Sequence, residues 1–302
     1  MAAVISQLMV LFTFIIAGFI LRKAKIVSAE TSTMLSKLEV FLLCPAVNLR
    51  SFALNLNMGN IKEKSVYLIL STLVMIITIF IAKLLARAFT KDSYERGVYS
   101  YNFTTGNYGY MGYPLIQALY GPDDMFLNFV VFSIPVAIYI YTEGYRVLTA
   151  SSKFTVKSVF TSPFIYSITI GAIIGLSGIT LPNWITGVLD GASDCMAPIA
   201  MIITGIVLAE YEILPLLKKY KVYIASILRL LVIPVCLMFI LKAFGLSKEV
   251  ITIATLFYAV PAGLNPVIFP SSIGRDCKTG LSMVLISNIL CIITLPFIVS
   301  II

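Results

Sequence analysis

The chain has 302 residues, 59% of them hydrophobic and only 12% charged, with a formal net charge of +8 and no histidine. Its mean hydropathy is +0.99. A water-soluble domain carries roughly 25% charged residues, so lipid is the expected solvent, and His-ligated metals and Ser-His catalytic pairs are excluded.

Ten apolar runs are long enough for a span of about 20 residues: 4–21, 32–54, 65–88, 97–120, 125–147, 160–181, 184–208, 222–244, 249–271 and 279–301. The first has no basic segment before it and is followed by Arg22, Lys23 and Lys25, which reads as a retained span rather than a signal peptide. The second carries Lys37, Glu39, Cys44 and Pro45. Ionisable residues inside spans are costly and mark functional positions by default, so Glu39 and Asp194, near the middle of the seventh run, are candidates for binding a coupling cation or a proton. Asp194 equally suits a pairing with Lys37 or Glu39 that locks two helices. Lys37, Glu143, Asp190 and Arg229 lie nearer run ends, where snorkelling to the interface is expected. Trp184 and the terminal tyrosines read as interface anchors.

The fourth run reads Tyr99-Ser100-Tyr101-Asn102-Phe103-Thr104-Thr105-Gly106-Asn107-Tyr108-Gly109-Tyr110-Met111-Gly112-Tyr113-Pro114. The ninth reads Tyr258-Ala259-Val260-Pro261-Ala262-Gly263-Leu264-Asn265-Pro266-Val267-Ile268-Phe269-Pro270. Proline removes a backbone donor and clashes with the preceding turn, and a broken helix is tolerated in hydrocarbon only where protein or a water-filled cavity receives the freed groups. Gly106, Gly112, Pro114, Pro261 and Pro266 are therefore expected to break these helices. Kinks that serve only packing are the plain alternative for one such run; two at matched positions favour a binding site. Asn265-Pro266 reads as the N-cap and first position of a second half-helix, and Asn107 with Gly109 as its counterpart. Two half-helix N-termini at the midplane would suit a small carboxylate. Asn102, Thr105, Tyr108 and Tyr110 could add hydrogen bonds, beside the backbone of Ala262 and Gly263.

The five cysteines, Cys44, Cys195, Cys236, Cys277 and Cys291, sit mostly within apolar runs and read as small core residues. The basic residues form small groups between runs, a topology signal rather than a nucleic-acid surface. With the N-terminus outside, 15 of the 22 Lys and Arg fall at cytoplasmic ends and 5 at outer ends, which favours both termini outside the cytoplasm.

The two halves match at a nearly constant offset: Pro45 with Pro198, Val66-Tyr67 with Val222-Tyr223, Arg87-Ala88-Phe89 with Lys242-Ala243-Phe244, and Pro114 with Pro270. A repeat of five spans inserts its second copy upside down. The expected fold is all-α, ten transmembrane helices in two inverted repeats over 1–148 and 149–302, with broken, crossing helices four and nine. Inverted repeats with paired breaks are a signature of secondary transporters.

On 101-YNFTTGNYGYMGYPLIQALYG-121, 260-VPAGLNPVIFPSSIG-274 and 35-LSKLEVFLLCPAVNLRSF-52 the chain resembles the auxin efflux carrier family, in the bile-acid, arsenite and riboflavin transporter superfamily. The resemblance implies a scaffold of spans one, two, six and seven and a transport domain of spans three to five and eight to ten. It also implies a substrate site at the crossover mapping onto Asn107 and Asn265, with Pro114, Pro261 and Pro266 shaping it. Auxin in plants and dicarboxylates such as malate or malonate in bacteria are the cargoes it suggests. The long cytoplasmic loop of many plant exporters is absent, and Glu39 stands where the resemblance leads one to expect an apolar residue. The expected function is secondary transport of a small organic anion across the cell membrane by alternating access. No cofactor is expected, and the partners are that anion, Na+ or H+ for coupling, the lipid bilayer and, left open, a second copy in a homodimer. A sodium-coupled bile-acid-type symporter and a non-transporting receptor using the same pocket are the alternatives.

Overall fold

The computed structural model describes residues 2–149 and 162–302. The expected connection at 149–159 falls almost wholly outside the described residues, as do Lys153, Lys157 and the first residues of the sixth run. Among the described residues the regular structure is helical throughout: α1 (Ala2–Lys23), α2 (Glu30–Asn55), α3 (Ile61–Phe89), α4a (Ser93–Thr104), α4b (108–120), α5 (Asp124–Thr149), α6 (Pro163–Ser177), α7 (Asn183–Ala209), α8 (Tyr220–Ala243), α9a (Lys248–Ala259), α9b (Asn265–Ser271) and α10 (Lys278–Ile301). A single helical turn, Ile213–Leu217, joins α7 to α8.

Seven of these, α1, α2, α3, α5, α7, α8 and α10, are long and apolar enough to cross a membrane unbroken. The sixth run gives a shorter apolar helix, and the fourth and ninth runs each give two half-helices. Ile69, Leu73, Ile76, Ile77, Phe80 and Leu84 of α3 all face outward. Such a stripe has no aqueous account and fits contact with lipid.

Helix pairing follows from where the glycines fall. α1 packs on α7 and α6 on α2. A β-carbon on Gly205 would lie 2.0 Å from the Ile15 carbonyl oxygen, and one on Gly18 would lie 2.2 Å from that of Ile202. Gly171 and Gly175, four apart on α6, bring α6 against Leu49, Phe52 and Leu56 of α2, where β-carbons on them would lie 2.5 to 2.9 Å from the nearest atoms. Small residues permit this approach where no hydrophobic force drives helices together. In the other half of the molecule α3 packs on α4a and α5, and α8 on α9a and α10. Here large rings fill the space: Phe257 contacts Tyr108, Phe129 and Phe132 with centroids 5.0 to 5.3 Å away.

Among the described residues four helices contain a turn wound one residue wide: Glu39–Leu43, Tyr108–Gly112, Ile140–Gly144 and Leu228–Val232. In three of them a proline, Pro45, Pro114 or Pro234, follows two residues later. The proline ring would strike the carbonyl four residues back, and widening the turn moves that carbonyl away.

The ionic residues expected to snorkel divide. Asp190 pairs with Arg50 of α2, and Glu143 takes both Lys83, at 3.1 Å, and Arg146, at 2.6 Å. Lys37 is exposed. Arg229 is a correction: it is 2% exposed and points into the protein, because the wide turn at Leu228–Val232 sets it on the same inner face as Ala225 and Ser226. The cysteines also divide: Cys277 and Cys291 are buried, whereas Cys195 and Cys236 face outward.

Candidate functional site: the crossing of two broken helices

α4a ends at Thr104 and α4b begins with a wide turn at Tyr108, leaving Thr105-Gly106-Asn107 non-helical between them. α9a ends at Ala259 and α9b begins at Asn265, with Val260 to Leu264 between. The two breaks meet. The Asn107 backbone N–H donates to the Pro261 carbonyl at 2.7 Å, so each interruption satisfies a group the other freed. Gly106 is required at this point: a β-carbon there would lie 2.2 Å from Arg229 Nη2 and 3.1 Å from the Val260 carbonyl oxygen. The Ala262 N–H donates to Ser287 Oγ of α10 at 2.9 Å, which anchors the second break from behind.

One cavity of about 90 Å³ opens beside the crossing, with room for several waters. Its wall holds Gly106, Asn107, Tyr108, Gly109, Gly263 and Asn265 of the breaks, with Tyr110 and Tyr113 of α4b. Cys44 of α2, Phe164 of α6 and Met196 of α7 close the other side, and Ile140 and Tyr141 come from α5. The cavity therefore lies between the glycine-packed helices and the aromatic-packed ones.

Not every sequence candidate reaches it. Thr105 is buried and its hydroxyl donates back to the Tyr101 carbonyl at 3.0 Å. Asn102 Nδ2 donates to the Val98 carbonyl at 2.8 Å, and the residue lines a separate small void together with Ala262. Pro266 stands in the first turn of α9b, Pro114 follows the wide turn of α4b, and Gly112 receives the Phe129 ring of α5.

The expected side-chain caps are a correction. Leu264 holds the N-cap position of α9b and accepts from the Val267 and Ile268 N–H groups, while Asn265 Nδ2 donates instead to the Tyr101 hydroxyl at 2.8 Å. Asn107 occupies the cap position of α4b without a side-chain cap bond; its backbone carbonyl accepts from Met111 and Gly112. The Tyr108, Gly109 and Tyr110 amides therefore head α4b ahead of its first closed turn. The donors at the crossing are backbone amides on the α4 side and a carboxamide on the α9 side.

Tyr101 was not among the sequence candidates. Its ring passes over Gly144 of α5, where a β-carbon would approach it to 2.8 Å, and nothing in the local sequence of α4a signals that space. Arg229 was also missed, although Ser226 and Arg229 one turn apart in an apolar helix are a readable polar face.

Of the coupling candidates, Glu39 is fully buried in the wide turn of α2, with neither carboxylate oxygen in a regular hydrogen bond and the Tyr110 hydroxyl as its polar neighbour. Asp194 is exposed on α7 and joins no ion pair among the described residues. At one end of the molecule a vestibule of about 620 Å³ is lined by Lys83, Arg87, Arg96, Arg146 and Arg275 against Asp92 and Glu143. It reaches Gly97 and Ser100 on α4a, within two turns of the break.

The family model described as membrane transport protein matches residues 3–158 and 146–299, nearly the whole chain. The chain belongs to that family. It is the family of the auxin efflux carriers, the one resembled by the sequences of the two breaks. No curated protein matches the chain. Membership in a transport family and a multi-helix membrane architecture make the protein a multi-pass membrane transporter.

Proposed function

We propose that the protein is a secondary carrier of a small organic anion, with Asn107 and Asn265 at the centre of its site. The observation that carries this reading is the crossing itself: two interrupted helices tied by the Asn107 N–H to Pro261 carbonyl bond beside a cavity at the boundary between two differently packed helix groups. A carboxylate there would meet the Tyr108, Gly109 and Tyr110 amides, the Asn107 carboxamide and Asn265. Preorganised donors of this kind favour an anion without reorganisation on binding. The vestibule supports the sign of the cargo, since five cations against two acids raise the local concentration of anions.

In this reading α1, α2, α6 and α7 form the stationary scaffold, and α3 to α5 with α8 to α10 move against it. The ten helices comprise two inverted repeats with both termini outside the cytoplasm. Glu39 rather than Asp194 is the group that couples transport to a proton or cation, because Glu39 is enclosed beside the cavity wall and Asp194 faces outward.

Purified protein in liposomes should take up radiolabelled malonate or malate. Asn107→Ala and Asn265→Ala should each reduce uptake tenfold or more. Glu39→Gln should abolish the response of uptake to an imposed pH or sodium gradient while leaving binding intact. Unchanged uptake in both asparagine variants would overturn the site, and absence of flux with saturable binding would favour a receptor.

A further inference from the structure

Arg229 is a buried charge that the crossover cavity does not use. It is 2% exposed, and Nε, Nη1 and Nη2 all lack a hydrogen-bond partner among the described residues. No described carboxylate lies within ion-pair distance, and the masked stretch 150–161 contains no acidic residue. It lies over the Tyr258 ring, with the guanidinium carbon 5.4 Å from the centroid. A π face offers a partial counter-charge, and an otherwise uncompensated guanidinium in low dielectric is strongly disfavoured. Beside it lies a void of about 10 Å³ walled by Asn102, Ser226, Arg229, Ala262 and Ser287. That is about the space of one water-sized sphere.

We propose that this void is a binding site for a small monovalent anion of the halide class, held by the Arg229 guanidinium with the Ser226 hydroxyl beside it. Arg229 Nη2 packs against Gly106, and Gly106 is on the wall of the crossover cavity but not of this void. The size of the void excludes the carbon skeleton of an organic acid in this conformation. The Ser287 hydroxyl accepts from the Ala262 N–H and donates its own proton to the Val284 carbonyl at 3.4 Å, so it is not the principal donor. A lone water would answer Asn102 Oδ1, which also lacks a partner, but would leave the guanidinium charge unbalanced. The bound anion would neutralise Arg229 directly behind the α4 break and so stabilise the crossing.

Two measurements test this without any transported substrate. The first is thermal unfolding of the purified protein as chloride replaces gluconate at constant ionic strength. The expected result is a saturable rise in Tm for the wild type, retained in Asn107→Ala and lost in Arg229→Gln. The second is anomalous scattering from bromide in crystals of the wild type, with a peak expected beside Arg229; this arm stands even if Arg229→Gln does not fold. An equal chloride effect in Arg229→Gln, or a bridging water only in the bromide crystals, overturns the site. Displacement of bromide by malonate, with Asn107→Ala abolishing that displacement, would assign the charge to the crossover cargo and overturn the separate halide site. Malonate uptake tests the carrier reading independently, so either idea can fail while the other stands.

Discussion

The two helix breaks occupy matching places in the sequence but are made of different material. The α4 break is three residues long, built around Gly106, and followed by a proline-induced wide turn. The α9 break is five residues long and opened by Pro261. The α4 side supplies backbone amides and faces the cavity. The α9 side supplies a carbonyl for Asn107, is anchored on Ser287, and contributes Asn265 through its bond to Tyr101. Matched position therefore does not mean matched chemistry: in the proposed carrier the first break would form the recognition surface, and the second would act mainly as its frame.

The sharpest way to break this contrast is at Gly106. A β-carbon there meets Arg229 Nη2 at 2.2 Å with Val260 atoms close behind, and Arg229 is enclosed and has little room to withdraw. Gly106→Val should lower uptake at least tenfold and reduce the yield of folded protein, measured by flux in liposomes and by size-exclusion chromatography. A variant with wild-type flux would show that the crossing tolerates displacement and that Arg229 is not held there.

A smaller effect is expected on the frame. Tyr101→Phe removes the acceptor for Asn265 Nδ2 and keeps the ring over Gly144. Loss of one such bond is worth about 0.5–1.5 kcal/mol, so carboxylate affinity should weaken about two- to tenfold with the maximal rate unchanged. Equal loss of rate and affinity would place Tyr101 in the moving step rather than in positioning Asn265.

Much of this was legible in the sequence because hydrocarbon makes strict demands. Apolar runs marked the seven unbroken spans, and the clustering of Gly, Asn and Pro marked both interruptions. Side-chain direction was not legible. Arg229 was placed by its distance from the run end, yet the wide turn induced upstream of Pro234 rotates it inward. The Asn265 cap was inferred from local residue preference, but a partner 164 positions away claimed its amide. The space for Tyr101 depends on Gly144 in another helix, and no pattern within α4a could report it.

The smallest expected effect closes the comparison from the opposite side. Gly263 lies in the second break and on the cavity wall, as Gly106 lies in the first; from sequence Gly106 reads as a helix breaker and Gly263 as a substrate-binding backbone position. A β-carbon on Gly263 would meet nothing closer than the Asn107 α-carbon at 3.6 Å, an ordinary van der Waals distance, and its backbone torsion is not in the left-handed region. Gly263→Ala should therefore leave uptake within twofold of wild type and stability nearly unchanged, read by the same flux assay and by thermal unfolding. If it instead matched the loss caused by Gly106→Val, the second break would be a recognition surface of equal weight. The added methyl reaches the cavity without striking the frame, so steric collapse could not explain such a loss, and the cargo itself would have to contact Gly263.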